Sequence, residues 1–172
     1  MVESQSTADG ISLTLRDEGA TQALAAALAA VLRPGDVLAL TGSLGAGKTA
    51  LARALINALP RPDGSCAPEE VPSPTFTLVQ IYERAPAPVW HFDLYRLSDP
   101  GEVEELGWEE ARAEGIVLVE WPDRLGALLP EDRLDILLFF PEHGGGRIAV
   151  LQGGGCWTER LGGLKLDAIE QA

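Results

Sequence analysis

The chain has 172 residues, 46% of them hydrophobic and 23% charged, which is enough for one domain with a full core and too few for two. Its 13 basic residues stand against 26 acidic ones, a formal net charge of −13, and this argues against autonomous RNA or DNA binding, which draws its affinity from lysine and arginine contacts that release counterions. Cys66 and Cys156 lack metal or redox spacing and read as two reduced thiols, and the longest apolar run, residues 23–32, cannot span a bilayer.

Residues 1–10 are polar and acidic, without the basic and apolar regions of a secretory signal, so a cytoplasmic setting is expected. Residues 11–16 alternate apolar and polar side chains, the pattern of a strand with one solvated face. An amphipathic helix follows over residues 17–32 and is stopped by Pro34-Gly35. Residues 37–40, Val-Leu-Ala-Leu, form a short continuous apolar run, as in a strand buried on both faces of a sheet.

Directly after that strand comes Gly42-Ser43-Leu44-Gly45-Ala46-Gly47-Lys48-Thr49, which matches the phosphate-binding pattern G-x-x-x-x-G-K-[ST] and leads into an alanine-rich helix over residues 47–59. Strand, loop and helix together are the setting that a P-loop requires. Gly42 and Gly47 let the backbone turn close to phosphate, and the backbone of Leu44, Gly45 and Ala46 completes the cradle. The helix start directs N–H groups and its positive dipole end at the anion. Lys48 is placed to reach the β- and γ-phosphates, and the Thr49 hydroxyl to ligate Mg²⁺.

Residues 60–74 are rich in proline and poor in apolar side chains, and predict a mobile surface loop able to fold over a γ-phosphate. Residues 75–82 and 89–95 read as a hairpin of two strands. Asp99-Pro100-Gly101-Glu102 opens a helix with a capping box and runs to about Ala113, turning Val103, Leu106 and Ala111 inward. Residues 116–121 form another apolar strand, and 133–140 with 147–151 a final pair around the turn Gly144-Gly145-Gly146. No internal repeat or dividing linker interrupts this order.

Hydrolysis needs a carboxylate beside the P-loop, to hold Mg²⁺ or to orient water. Glu120 stands at the carboxyl end of a buried strand, where open α/β sheets place ligands; the alternative is a strand-end glutamate facing water. Asp93, in His91-Phe92-Asp93-Leu94-Tyr95-Arg96-Leu97, shares a strand face with His91 and Tyr95, and an acid there needs a partner: a nucleotide site, or Arg96 or another donor. Ser73-Pro74-Thr75-Phe76 ends the mobile loop, with a hydroxyl for the γ-phosphate or a plain turn into a strand as the two readings. Trp121 is suited either to packing beside the nucleotide or to covering core. His91 and His143 show no metal spacing, and the N-K-x-D signal of GTPases is absent, which favours adenine.

Taken in order and spacing, G-x-L-G-A-G-K-T, S-P-T-F, H-F-D-L-Y-R-L and E-W-P resemble the bacterial tRNA threonylcarbamoyladenosine biosynthesis ATPase family, from the first helix to about Leu151. The resemblance implies a single-domain α/β P-loop NTPase with a mixed, largely parallel central sheet flanked by helices. It implies ATP and Mg²⁺ as cofactors, weak hydrolysis, and work alongside two paralogous sugar-kinase-fold subunits that modify the adenosine beside the anticodon of ANN-decoding tRNAs, with tRNA reached through them. By position it gives Lys48 to phosphate, Thr49 and Glu120 to Mg²⁺, Asp93 to the nucleotide and its attacking water, Thr75 to the switch, and Thr21 on the first helix to the nucleotide. Ser43 departs from the acid common in the family, and residues 158–172 are expected as a carboxyl-terminal tail. A small-molecule kinase and a nucleotide-gated binding module are the rival readings of the same loop.

Overall fold

A computed structural model describes residues 10–170; the amino-terminal stretch read for a secretory signal lies outside them, except for Gly10. One seven-stranded sheet organises the chain in the order β1-β7-β6-β2-β5-β4-β3. The strands are β1 (Ile11–Leu15), β2 (Val37–Thr41), β3 (Val79–Tyr82), β4 (Val89–Asp93), β5 (Ile116–Glu120), β6 (Leu134–Phe139) and β7 (Arg147–Gly153). The centre is parallel, β6 with β2, β2 with β5 and β5 with β4, while β3 at one edge and β7 and β1 at the other pair antiparallel. This is the mixed sheet expected of the sequence, with its parallel strands where both faces are covered.

Alternation along the central strands divides the core in two. Leu38 and Leu40 of β2 and Leu118 of β5 face helices α1 (Glu18–Ala29) and α2 (Lys48–Ala58), packing with Leu24, Leu28, Leu51, Leu55 and Ile56. Val37, Ala39, Val117 and Val119 face the opposite side, against Phe92, Trp108 and Leu125. Asp17 caps α1, its Oδ1 accepting from the Ala20 amide at 2.9 Å, which satisfies one of the helix's free first-turn donors. Helix α2 has no side-chain cap: Gly47 precedes it in the left-handed region at φ 107°, leaving first-turn amides directed at the loop.

Three stretches differ from expectation, each for a local reason. The helix predicted from Asp99 to Ala113 is two helices, α3 (Glu102–Glu105) and α4 (Trp108–Glu114), because Gly107 adopts φ 86° between them and turns the chain so that Trp108 inserts into the core. The predicted capping box is present, with the Asp99 amide donating to Glu102 Oε1 at 3.0 Å and the Gly101 amide to Asp99 Oδ1 at 2.7 Å. The strand predicted over 75–82 begins only at Val79, since Thr75 and Phe76 sit in a turn closed by the Leu78 amide on the Pro74 carbonyl at 2.7 Å. A 3₁₀ segment, Pro122–Leu128, follows β5 unforeseen.

Beyond β7 the chain forms two short helices, α5 (Trp157–Gly162) and α6 (Asp167–Glu170), in the stretch read as a tail; its last two residues lie outside the described region. Arg160 ties α5 to the entry of β2. Its guanidinium donates to both Asp36 oxygens at 2.7 Å and to the Val31 carbonyl, and lies 3.8 Å from the Trp157 ring centroid. The hydrogen bonds to Asp36 raise the Arg160 pKa above its ordinary value. No helix among the described residues is long and apolar enough to cross a membrane.

Candidate functional site

The P-loop leaves β2 at Gly42, whose φ of 153° belongs to the glycine region and whose Cα faces the Leu138 carbonyl so closely that a Cβ would collide with it. Gly47 ends the loop, and there a Cβ would meet Arg147 Nε at 2.8 Å. Ala46 is wholly buried beneath the loop, whereas Leu44 stands 70% exposed at its rim. Lys48, only 5% exposed, folds back to donate from Nζ to the carbonyls of Gly42 at 2.6 Å and Ser43 at 2.9 Å. Burial lowers its pKa, with the Glu120 and Asp93 carboxylates acting in the opposite direction. Trp121 covers the ammonium, its ring centroid 4.3 Å from Nζ, and packs 5.0 Å from the Tyr95 ring. It reaches that position from a left-handed backbone, φ 58°, immediately after β5.

Parallel pairing of β4 with β5 sets Asp93 directly beside Glu120 at the carboxyl ends of both strands. Thr49 Oγ1, from the first turn of α2, donates to Glu120 Oε1 at 2.9 Å and lies 3.1 Å from Oε2. The other neighbour of Oε1 is Nε2 of the fully buried His91, also at 2.9 Å. Glu120 is therefore a buried strand-end acid that faces the P-loop, and not water.

Asp93 is held by the end of the long loop instead of by Arg96. Its Oδ2 accepts from Ser73 Oγ at 3.1 Å and Thr75 Oγ1 at 3.0 Å, and its Oδ1 from the Tyr95 amide at 3.1 Å. Arg96 lies over the Phe76 ring, 4.5 Å from its centroid. The rest of the loop is laced to α2: Arg53 Nε donates to the Val71 carbonyl at 3.1 Å, and Asn57 exchanges two hydrogen bonds with the Glu69 backbone at 3.1 and 2.9 Å.

These groups enclose a cleft of about 300 Å³, which brings together Leu44, Gly45, Gly47, Lys48, Thr49, Thr75, Asp93 and Glu120 of the predicted residues. Gly42 opens onto the far side of Trp121, in a separate hollow with Thr41, Ser43 and Asp123. Thr21 is not in the P-loop cleft. It lines a second one of about 590 Å³ on the other flank of α2, with Gln22, Arg53 and Asn57, and donates to the Asp17 carbonyl at 3.3 Å. Arg147 borders both clefts. Sequence reasoning found no arginine for the site because Arg147 opens a strand far along the chain, and only the antiparallel return of β7 beside β6 carries it to Gly47. Ser73 joins Thr75 as the second hydroxyl of S-P-T-F at the cleft, and His91 is a residue that sequence reasoning missed, although it shares a strand face with Asp93.

The Thr49 hydroxyl and the Glu120 carboxylate converge as an all-oxygen pair, the donor set suited to a hard divalent ion that keeps several of its waters. Mg²⁺ fits these residues. Among the described residues no group of three or more His, Cys, Asp and Glu side chains forms a fuller metal cage.

Comparisons with known proteins bear on the family of the chain. Residues 15–145 match the family model "Threonylcarbamoyl adenosine biosynthesis protein TsaE". The tRNA threonylcarbamoyladenosine biosynthesis protein TsaE of Rickettsia conorii is 39% identical over 125 residues, covering 73% of this chain and 69% of the relative. The protein of the same name from Bacillus subtilis is 40% identical over 119 residues, covering 69% of this chain and 70% of the relative. The crystal structure of Bacillus subtilis YdiB superposes with a TM-score of 0.72 at 28% identity, over 90% of this chain and 92% of that one. With a matched family model that spans most of its length and relatives 39–40% identical over more than two thirds of it, the chain belongs to the TsaE family.

Proposed function

We propose that the protein binds ATP with Mg²⁺ in the P-loop cleft, hydrolyses it slowly, and through that cycle serves threonylcarbamoyl modification of the adenosine beside the anticodon of ANN-decoding tRNAs. In this reading it works in the cytoplasm with the two paralogous sugar-kinase-fold subunits of the transferase complex and reaches tRNA through them. The observation that carries the reading is the convergence of Lys48, the Thr49–Glu120 pair and Asp93 on one cleft. The family's printed name supplies the pathway, and the net charge of −13 agrees with an indirect approach to tRNA.

Each residue then has a distinct task. Lys48 exchanges its two loop carbonyls for β- and γ-phosphate oxygens, while Gly45 and Gly47 offer backbone amides; the buried Ala46 keeps its amide on the Ser43 carbonyl at 3.1 Å and supports the loop from beneath. Thr49 and Glu120 hold Mg²⁺, which when bound offsets the negative charge of the phosphates. Asp93 accepts from the attacking water once Ser73 and Thr75 turn their hydroxyls toward the nucleotide, so that residues 60–74 act as a switch. Arg147, between the two clefts, meets phosphate charge on the helix side of the loop, and the cleft with Thr21 receives the nucleoside.

Among the described residues Arg147 is the one arginine lining the cleft, and it stands on the Gly47 side of the loop; turnover is slow without partners because a further arginine is left for a partner to supply, a group worth about 10³ to 10⁵ in rate. The test is steady-state ATP hydrolysis by the pure protein, alone and with the transferase pair and tRNA, using Lys48→Ala as the control. Strong stimulation that Lys48→Ala abolishes is expected. ATP binding without stimulation refutes required turnover and favours the nucleotide-gated module, and a phosphorylated metabolite in place of free phosphate favours the kinase.

A further inference from the structure

Accepting the reading of Thr49 and Glu120 as the Mg²⁺ pair, we infer that His91 is the positioning residue that sets the Glu120 carboxylate, through a hydrogen bond from Nε2–H to Oε1. The ring is 0% exposed and lies 2.9 Å from Oε1, while its Nδ1 has no partner among the described residues. An ionised carboxylate only accepts, so Nε2 carries the hydrogen. The opposite tautomer would face two acceptors and bury an Nδ1–H with nothing to receive it.

Sheet register explains why a histidine performs this task. His91 pairs with Leu118, and Glu120 lies two residues further along β5 on the same face, a diagonal neighbour across a parallel ladder. Diagonal neighbours are about 7–8 Å apart at the backbone, a gap that a rigid imidazole spans from one side and a glutamate from the other. Oε1 is thereby fixed by His91 from the sheet while Thr49 Oγ1 meets both oxygens from α2, so the carboxylate has one orientation toward the cleft. Without the imidazole donor, Oε1 keeps only the threonine, and the carboxylate turns freely about its last torsion. Outer partners of metal-holding carboxylates typically act in this way, and their loss weakens metal binding about 10- to 100-fold.

The experiment uses the full chain with Mn²⁺ as the probe for the metal, counted by its electron paramagnetic resonance signal in the presence of ATP. ATP binding in EDTA, followed by calorimetric titration, is the second readout. His91→Leu and His91→Met remove the donor and keep an apolar side chain; His91→Gln keeps an N–H of similar reach. We expect the Leu and Met variants to bind Mn²⁺ about 10- to 100-fold more weakly, with ATP affinity in EDTA within about threefold of the parent and Gln restoring most of the metal affinity. Unchanged Mn²⁺ affinity in a folded donorless variant overturns the inference. So does an equal loss of Mn²⁺ and metal-free ATP binding, or a folded Gln variant no better than Leu or Met. If the parent protein binds no ATP, or binds it without taking up Mn²⁺, it is the proposed function that fails.

Discussion

Replacing Lys48 with Met separates the demands of the site from those of the fold. Lys48 is 5% exposed and carries its charge among loop carbonyls and the Trp121 ring. Burial is the largest influence on its ionisation and lowers its pKa, so the charged form is held at a net disadvantage relative to water. Methionine has nearly the same length and no charge to desolvate. The carbonyls it abandons belong to a loop that retains the Ala46 amide on the Ser43 carbonyl at 3.1 Å. Stability should therefore change by no more than about 1 kcal/mol, or about 2–4 °C in Tm for a chain of this size, with an increase favoured.

ATP binding should respond in the other direction. Each hydrogen bond from a charged group is worth about 1.5–3 kcal/mol, and Lys48 gains phosphate contacts while giving up its two carbonyl bonds. A net loss of about 2–3 kcal/mol corresponds to a Kd roughly 30- to 150-fold higher. Calorimetric titration with ATP and Mg²⁺, beside a thermal melt, reads both quantities. An ATP affinity within threefold of the parent, or a Tm lowered by more than about 8 °C, would refute the reasoning.

Nucleotide binding in alkaline buffer should take up protons, because phosphate raises a Lys48 pKa that burial has lowered. Affinity then falls as pH rises through the range in which free Lys48 loses its proton, and titrations in buffers of different ionisation enthalpy show the uptake; proton release would contradict it. Thr75→Ala should reduce the hydrolysis rate by about tenfold or more while the Kd for ATP moves less than threefold, since it removes a hydroxyl that the switch turns toward the nucleotide and leaves Lys48 and the loop amides of the phosphate cradle in place. Equal losses in rate and affinity, measured by single turnover and titration, would count against the switch. Arg160→Met should cost about 3 kcal/mol, a Tm drop of about 6–12 °C, because it leaves the Asp36 carboxylate buried with the Arg33 amide as its remaining donor. A melt within 2 °C of the parent would show that the ion pair contributes nothing net.

Much of this architecture was legible in the sequence because period and punctuation agree there. The continuous apolar runs of β2 and β5 mark buried parallel strands, and the P-loop can only sit at the end of the first. Glu120 followed from its place at a strand end, and Asp93 from being an acid in an otherwise apolar strand. What escaped depends on register and on distant returns of the chain. His91 is two positions out of step with Glu120, Arg147 arrives through an antiparallel strand, and Gly107 breaks a helix whose apolar spacing reads as continuous. Arg147 and Gly107 have no local signal that a periodicity argument registers, and for His91 alternation gives the face it shares with Asp93 but not its pairing with Glu120.

The position of β2 also bears on how the protein is made. Its two neighbours in the sheet, β5 and β6, both follow it in the chain, and β1 waits for β7. A nascent chain that has just extruded the P-loop has nothing on either side of the strand that presents it. The cradle cannot close until Leu137, paired with Thr41, has left the ribosome, and the edge is sealed only with β7. Such late pairing is slow to nucleate and leaves apolar strands uncovered during synthesis. On the proposed reading, ATP becomes a ligand only for nearly complete chains, and it then acts as a late-stage selector of finished molecules over truncated ones.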